Sequence, residues 1–295
     1  LILADDRPGT VSQSIGLAKN LGLEYKKIDL TYNSLVRIPN CFFSSSLLRL
    51  DRKSKKEIRD LYYLPSIVIS AGRRSATIAL YLKKISQGRS KVIQIMDPNL
   101  DFSKFDFVIL PKHDETKSDA PNLITTIGSL TKVNDQDITS ETEKYISELQ
   151  NSRKSTIALL LGGSSNKTKF GEGSGKKLAA TVSRLANKIE AKLLVLNSIR
   201  TSEELTNAVK SQLDCDFKFF DWKETKDRNP YLGILGYADF FIITGDSVSM
   251  ISECCATGKP VYIFDEKEIS STKHRRFHQN LIEAKNRLSI ALPVA

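Results

Sequence analysis

One segment, residues 240–264, constrains the possible fold more than any other part of the chain. It opens with the apolar run 240–243, passes through the polar turn 244–247, and continues with apolar residues at helical spacing. Gly258 then occupies the place where a helix commonly ends, and Pro260 precedes a second apolar run, 261–264. The segment therefore predicts a buried strand, a turn, an α-helix and a second strand, which is one unit of a parallel α/β sheet.

The start of the predicted helix carries side chains that suit two interpretations. Asp246 and Ser247 offer oxygens that can cap the first helical N–H groups. The same amides attract an anion such as a diphosphate. Glu253, further along the helix, adds a carboxylate suited to a pair of sugar hydroxyls. An ordinary, well-capped βαβ unit and a nucleotide site both remain open at this stage.

The alternation of strands and helices runs through the whole chain, which indicates an α/β fold of two doubly wound domains. The stretch between Thr131 and Lys154 is polar and charged, with no apolar stripe before Tyr145. We expect it to separate an N-terminal Rossmann-like domain (1–140) from a C-terminal nucleotide-binding domain (150–295). The last helix, around 277–284, is expected either to stay with the second domain or to pack back on the first.

A formal net charge of +10 favours an anionic partner. Basic residues cluster at 52–56 and 273–276, either as solvated faces or as surfaces for an acidic partner or a membrane. Aromatic residues are not interleaved with these runs and no nucleic-acid motif is present, so nucleic acid is not an expected partner.

The four cysteines and three histidines show no metal-ligand spacing, so we expect neither a metal site nor a cofactor. No apolar run approaches the roughly 20 residues of a membrane helix, and no secretory signal is visible. These features predict a cytoplasmic protein, at most peripheral to a membrane.

In the first half, three predicted strand ends deliver polar residues to one rim of the sheet. They carry Arg73 with Arg74, then Asp97, then His113. Ligands of doubly wound sheets bind beyond the carboxyl ends of the strands. Asp97 and His113 are therefore candidates for a general base, by position alone. The alternatives are turn or capping roles, with His113 as a surface residue.

In the second half, residues 162–165 (Gly-Gly-Ser-Ser) follow a buried strand. Glycines there allow the backbone to approach a phosphate closely. The other glycine-rich stretch, 171–177, fails as a P-loop because Lys177 stands where Ser or Thr must bind magnesium, and we expect it to be a surface loop. The loops at 162–165 and 246–249 are expected to face one crevice.

These two loops resemble the nucleotide-binding domain of GT-B glycosyltransferases, which carries a Gly-Gly-Ser loop and a later S-x-S/T-x-x-x-E…G-x-P segment. The chain as a whole resembles the mitochondrial fission factor family typified by the plant elongated-mitochondria protein, which has bacterial members. The stretches that carry this second resemblance are 70–74, 94–98, 122–126, 229–233, 244–250 and 275–278.

The resemblance implies a GT-B-like fold, two Rossmann-like domains with a central cleft, and a bacterial-type member without the dynamin-related partner of the plant branch. If the chain is a nucleotide-sugar glycosyltransferase, the resemblance implies that the two loops contact the diphosphate and that Glu253 contacts the ribose. It also implies that Met250 packs beside the sugar or base, and that Arg73 and Arg74 stabilise the leaving diphosphate. A non-catalytic adaptor and a nucleotide-sugar epimerase are the alternatives. The candidate ligand-binding residues are Gly162, Gly163, Ser164, Ser165, Asp246, Ser247, Ser249, Met250, Glu253, Arg73 and Arg74.

Overall fold

The computed structural model describes residues 1–43, 45–114, 116, 118–149, 155–165, 168–225 and 228–284. The chain divides into two compact units, Leu1–Lys132 and Val133–Ala295. Each unit is built on its own parallel sheet, as the sequence predicts.

The first unit has a six-stranded sheet in the order β2-β1-β3-β4-β5-β6. Its strands β1 to β4 alternate with α-helices. In chain order the elements are β1 (Ile2–Ala4), α1 (Pro8–Asn20), β2 (Lys27–Asp29), α2 (Arg52–Arg59), β3 (Ile67–Ala71), α3 (Gly72–Ile85), β4 (Lys91–Ile95), β5 (Phe107–Pro111) and β6 (Leu123–Thr126).

Successive strand residues point to opposite sides of this sheet. Both faces are buried because an apolar cluster that includes helix residues packs on each of them. Ile2 and Ile69 pack with Ala18 of α1 on one face. Leu3 and Val68 join a larger cluster that includes α3 on the other face. The interior strands therefore read as continuous apolar runs, which is why the sequence reveals them.

The second unit has a five-stranded sheet in the order β11-β10-β7-β8-β9. Segment 240–264 forms β10, α8 and β11, which confirms the prediction. The elements are α4 (Asp135–Leu149), β7 (Ser155–Leu160), α5 (Glu172–Lys188), β8 (Ala191–Leu196), α6 (Glu203–Gln212), β9 (Phe217–Phe220), α7 (Tyr231–Tyr237), β10 (Phe240–Thr244), α8 (Val248–Ala256), β11 (Val261–Phe264) and α9 (Thr272–Glu283).

The strand order of the second unit fixes where a ligand can bind. The chain runs from β7 outward through β8 to β9 and then returns to the other side of β7 as β10. This reversal makes the carboxyl ends of β7 and β10 a topological switch point, the usual location of a ligand crevice in an open α/β sheet.

Helix α4 belongs to the second unit, so the division lies at the start of the stretch 131–154, ahead of the expected end of the first domain at residue 140. A Cβ built at Gly236 would lie 2.0 Å from the Thr142 hydroxyl oxygen, and one at Gly233 would lie 3.0 Å from the Tyr145 ring. These glycines let α7 pack closely on α4. Most residues of α4 are solvent-exposed and polar, and for this reason the sequence of the helix resembles that of a linker.

The glycine-rich stretch 171–177 was expected to be a surface loop, but it forms the start of α5. Gly171 is the N-cap, and the helix begins at Glu172. Gly175 faces α6, where an added Cβ would lie 2.5 Å from a methyl group of Leu205. No helix among the described residues has both the length and the apolar character needed to cross a bilayer.

Candidate functional site

The loops that follow β7 and β10 meet at the switch point of the second unit. The Gly162 amide donates to the Thr244 hydroxyl oxygen at 2.8 Å, and the Gly163 amide donates to Asp246 Oδ2 at 2.9 Å. The Thr244 hydroxyl in turn donates to Asp246 Oδ1 at 2.6 Å. The structure thus brings the two predicted loops together through backbone amides and one buried carboxylate.

The two glycines have a different role from the predicted one. Their amides are bonded within the protein and are not directed at a phosphate. A Cβ on Gly163 would lie 1.9 Å from the Arg200 carbonyl oxygen, and one on Gly162 would lie 2.2 Å from the Asp246 carboxylate. Glycine is needed here because three loops of the protein approach one another closely.

Asp246 is likewise not the helix cap. Ser247 is the N-cap of α8, and its hydroxyl accepts from the Met250 amide at 3.5 Å. The Asp246 side chain is fully buried and forms an ion pair with Arg200, at 2.8 Å from Nη2 to Oδ2. Arg200 lies in the turn after β8, and sequence reasoning missed it because its partner is 46 residues away.

Ser164 and Ser165 fold their own loop. The Ser164 hydroxyl accepts from the Phe170 amide at 3.1 Å. The Ser165 amide donates to the Thr168 carbonyl at 2.9 Å, and their hydroxyls lie 2.8 Å apart. Ser164 remains solvent-exposed beside the loop junction.

A pocket of about 540 Å³ opens at the carboxyl ends of β7, β8 and β9. The starts of α7 and α8 complete its wall. It combines aromatic and aliphatic surface with side-chain amides, the mixture typical of a small-molecule site. Among its lining residues are Asn197, Ile199, Trp222, Asn229, Tyr231 and Met250.

Glu253 supports this pocket through Tyr231. The Tyr231 hydroxyl donates to Glu253 Oε2 at 2.6 Å. Burial, followed by the neighbouring Glu253 carboxylate, raises the pKa of Tyr231 well above its ordinary value. Tyr231 therefore stays protonated and keeps donating. Glu253 is the residue predicted to bind the ribose, and one of its two carboxylate oxygens thus already accepts a hydrogen bond from a pocket-lining side chain.

A second polar cluster lies behind Gly245. His278 is buried, with 4% of the residue exposed, and its Nδ1 lies 3.1 Å from Asp265 Oδ2. Burial opposes ionisation of Asp265, but the hydrogen bonds from His278 and Ser270, together with the positive charge of Arg275, outweigh it, so the pKa of Asp265 lies below its ordinary value. A Cβ on Gly245 would lie 2.8 Å from His278 Cε1. Sequence reasoning assigned no role to this histidine, although the stretch 275–278 contributed to the family resemblance.

The remaining candidates lie in the first unit. Arg74 pairs with Asp6, and the Arg73 guanidinium donates to the Val36 carbonyl at 3.1 Å. Asp97 is exposed and accepts from the Asn99 amide at 2.7 Å, so it stabilises a turn, as the alternative interpretation proposed. His113 is 3% exposed. The suggestion that it is a surface residue was wrong, because the turn after β5 folds its side chain inward.

Comparison with known families places nearly the whole chain in one of them. The model of the family described as "Mitochondrial fission ELM1" matches residues 8–289. The Rickettsia prowazekii (strain Madrid E) protein RP120, described as uncharacterized, is 32% identical over 96% of this chain and 88% of its own length. The mitochondrial fission protein ELM1 of Arabidopsis thaliana is 26% identical over 68% of this chain and 51% of its own length.

Solved structures show the same fold at low identity. The UDP-GlcNAc 2-epimerase of Neisseria meningitidis, bound to UDP-GlcNAc, matches with a TM-score of 0.53 and 12% identity, covering 100% of this chain and 95% of its own. A family 9 glycosyl transferase of Veillonella parvula matches with a TM-score of 0.53 and 12% identity, covering 98% and 85%. These matches and the two parallel sheets establish the predicted GT-B-like fold.

Proposed function

This chain belongs to the mitochondrial fission ELM1 family, and we propose that its second unit binds a nucleoside-diphosphate sugar whose sugar is transferred to an acceptor. One observation carries the proposal. Met250 lines the pocket and also lies in the first turn of α8. A nucleoside in the pocket therefore places its phosphates beside a helix start.

The start of α8 suits a diphosphate for two reasons. The first N–H groups of an α-helix have no acceptor within the helix, and the helix dipole adds positive potential there. Ser247 and the exposed Ser249 add hydroxyl donors at the same end. We therefore place the diphosphate at residues 247–249, with Ser164 of the facing loop as a further donor.

The pocket itself suits the nucleoside. Trp222 and Tyr231 offer aromatic surface to a base, and the Asn229 and Asn197 amides lie in the same lining. Asn197 already has partners, since its Oδ1 accepts from the Trp222 amide at 2.7 Å and its Nδ2 donates to the Thr206 hydroxyl at 3.2 Å. Asn197 thus holds Trp222 in position, while Glu253 holds Tyr231.

The charge around the proposed diphosphate site is balanced. Asp246 alone would repel phosphate, but Arg200 pairs with it, and the Arg200 side chain remains 37% exposed. The Arg200–Asp246 pair therefore presents its positive partner to solvent.

Uridine nucleotides are the natural first probes, because UDP-GlcNAc is the ligand named in the Neisseria structure. Trp222 is the single tryptophan of the chain and lines the pocket, so its fluorescence reports on binding directly. We expect UDP and UDP-sugars to change this fluorescence saturably.

A charge placed at residue 249 tests the phosphate position sharply. In Ser249→Asp, the new carboxylate repels phosphate but favours the helix start, so UDP affinity falls at least tenfold while stability is kept or rises by about 0.3–1 kcal/mol. Ser249→Asn is the matched control of nearly equal size and no charge, and we expect it to bind within a few-fold of the parent. Equal UDP affinity in all three proteins would contradict the proposed site.

The reaction is tested separately from binding. In a transferase, release of UDP from a UDP-sugar stays slow until an acceptor is added. Fast release without an acceptor would favour the epimerase-type alternative. No nucleotide affinity together with salt-sensitive binding to anionic vesicles would instead support the adaptor.

A further inference from the structure

The first unit contains a buried arginine for which the described residues supply no carboxylate partner. Arg49 is 0% exposed. Its guanidinium donates to the Asn40 side-chain oxygen and the Ile38 carbonyl, and it lies 4.6 Å from the centre of the Phe43 ring. Its Nε has no hydrogen-bond partner in the described part of the chain. Buried charges in proteins are normally paired, because transferring an unpaired ion out of water is unfavourable.

A second arginine makes this imbalance larger. Burial lowers the pKa of Arg49, and the positive charge of Arg73 lowers it further. Asn40 connects the two arginines, since its amide nitrogen donates to the Arg73 carbonyl at 2.7 Å. Arg73 is half-buried, and its guanidinium has the Val36 carbonyl as its acceptor. Within the described residues, no ion pair involves either arginine.

The start of α3 adds positive potential at the same place. This helix of 14 residues has no side-chain cap and no acidic residue in its first turn, which instead contains Arg73 and Arg74. Cations at a helix N-terminus are unfavourable by the dipole rule. Arg74 has Asp6 as its partner, whereas none of the residues that the structure describes gives Arg73 a carboxylate partner.

We propose that the first unit binds a phosphate group at the start of α3, with Arg73 as the contacting residue and Arg49 as a buried source of positive charge. Two guanidinium groups without counter-ions match the charge of a phosphate monoester near neutral pH. The planar fork of arginine bonds two phosphate oxygens at once. The phosphate belongs to a second ligand, free or esterified, so this site does not depend on the nucleotide pocket.

Calorimetric titration of this 295-residue chain with inorganic phosphate tests the proposal. The Ser249→Asp background keeps phosphate away from the start of α8. In that background we expect saturable binding, and Arg73→Ala should weaken it about tenfold or more, as expected when a charge-assisted hydrogen bond is lost. Arg59→Ala, which removes an exposed arginine from the last turn of α2, is the matched control and should bind as the background protein does. Arg73→Gln keeps side-chain bulk and should weaken binding similarly.

Two further arms complete the test. Glucose 6-phosphate that binds more tightly than inorganic phosphate identifies an esterified ligand, whereas weaker binding identifies free phosphate, and either result supports the site. The proposal is overturned if the Arg73 variants bind phosphate like the Arg59 control, or if no phosphate binds. It is also overturned if Arg73→Ala, introduced into the otherwise unchanged chain, weakens the binding of UDP as strongly as the binding of phosphate. Arg73 would then be a contact of the nucleotide.

Discussion

Replacing Gly163 by alanine tests whether the loops of the second unit are joined as described. The new Cβ would lie 1.9 Å from the Arg200 carbonyl oxygen and 2.7 Å from the Thr201 amide nitrogen, where ordinary contact begins at 3.4 Å. Both neighbours are backbone atoms, so no side-chain rotation relieves the clash. The loops must separate.

The cost follows from two contributions. Overpacking of a tight site costs about 1–3 kcal/mol. Separation of the loops also weakens the bond from the Gly163 amide to the Asp246 carboxylate, and such bonds to a charged group contribute about 1.5–3 kcal/mol. Allowing for partial relaxation, we expect Gly163→Ala to lower the free energy of unfolding by about 3 kcal/mol.

Urea unfolding followed by Trp222 fluorescence measures this loss in the second unit, where the tryptophan lies. Gly173→Ala is the matched control. Gly173 is in the first turn of α5 with nothing within 4 Å of an added Cβ. Alanine there should leave stability unchanged or raise it by up to about 1 kcal/mol. Equal stability of the two variants would refute the description of the loop junction.

Three further changes test other parts of the account. Asp106 accepts from the Val92 amide at 2.8 Å and pairs with Lys83; burial opposes its ionisation, but these bonds hold the pKa below the ordinary 3.8. The ionised Asp106 carboxylate therefore stabilises the folded protein above pH 3.8, and this stabilisation is lost as the pH falls below that value. The loss of unfolding free energy in Asp106→Asn, measured by urea unfolding, should be full at pH 7 and become smaller in acid. The Lys259 ammonium donates to three carbonyls at the end of α7, so Lys259→Met should cost about 1–3 kcal/mol by the Trp222 assay, and an unchanged midpoint would contradict this role. Tyr231→Phe removes the hydrogen bond from Tyr231 to Glu253 and should lower UDP affinity several-fold in fluorescence titration, whereas unchanged affinity would remove Tyr231 from the site.

Much of the fold could be predicted because its signals are local. The segment 240–264 forms strand, helix and strand as expected, with Ser247 capping α8 and Gly258 at φ +72° after its end. These features depend on residues only a few positions apart. The short strands β2 and β6 were missed. β2 has a single buried residue, Ile28, and β6 has none, so neither shows an apolar run.

The site could be predicted only in outline. The carboxyl ends of parallel strands share one edge of a sheet, so the meeting of the two loops was predictable. The acceptor of each glycine amide was not predictable. Gly163 and Asp246, for example, are 83 residues apart, and nothing in the residues around one indicates that it contacts the other. Separation in sequence likewise concealed Arg200, which lies 46 residues from Asp246, and the hydrogen bond from Tyr231 to Glu253, which are 22 residues apart.

A crystal structure of the chain with UDP tests the central claim most directly. We predict the base and ribose in the pocket against Trp222 and Tyr231, with the phosphates at the amides of residues 247–249. UDP bound elsewhere, or an empty pocket at saturating UDP, would contradict the account.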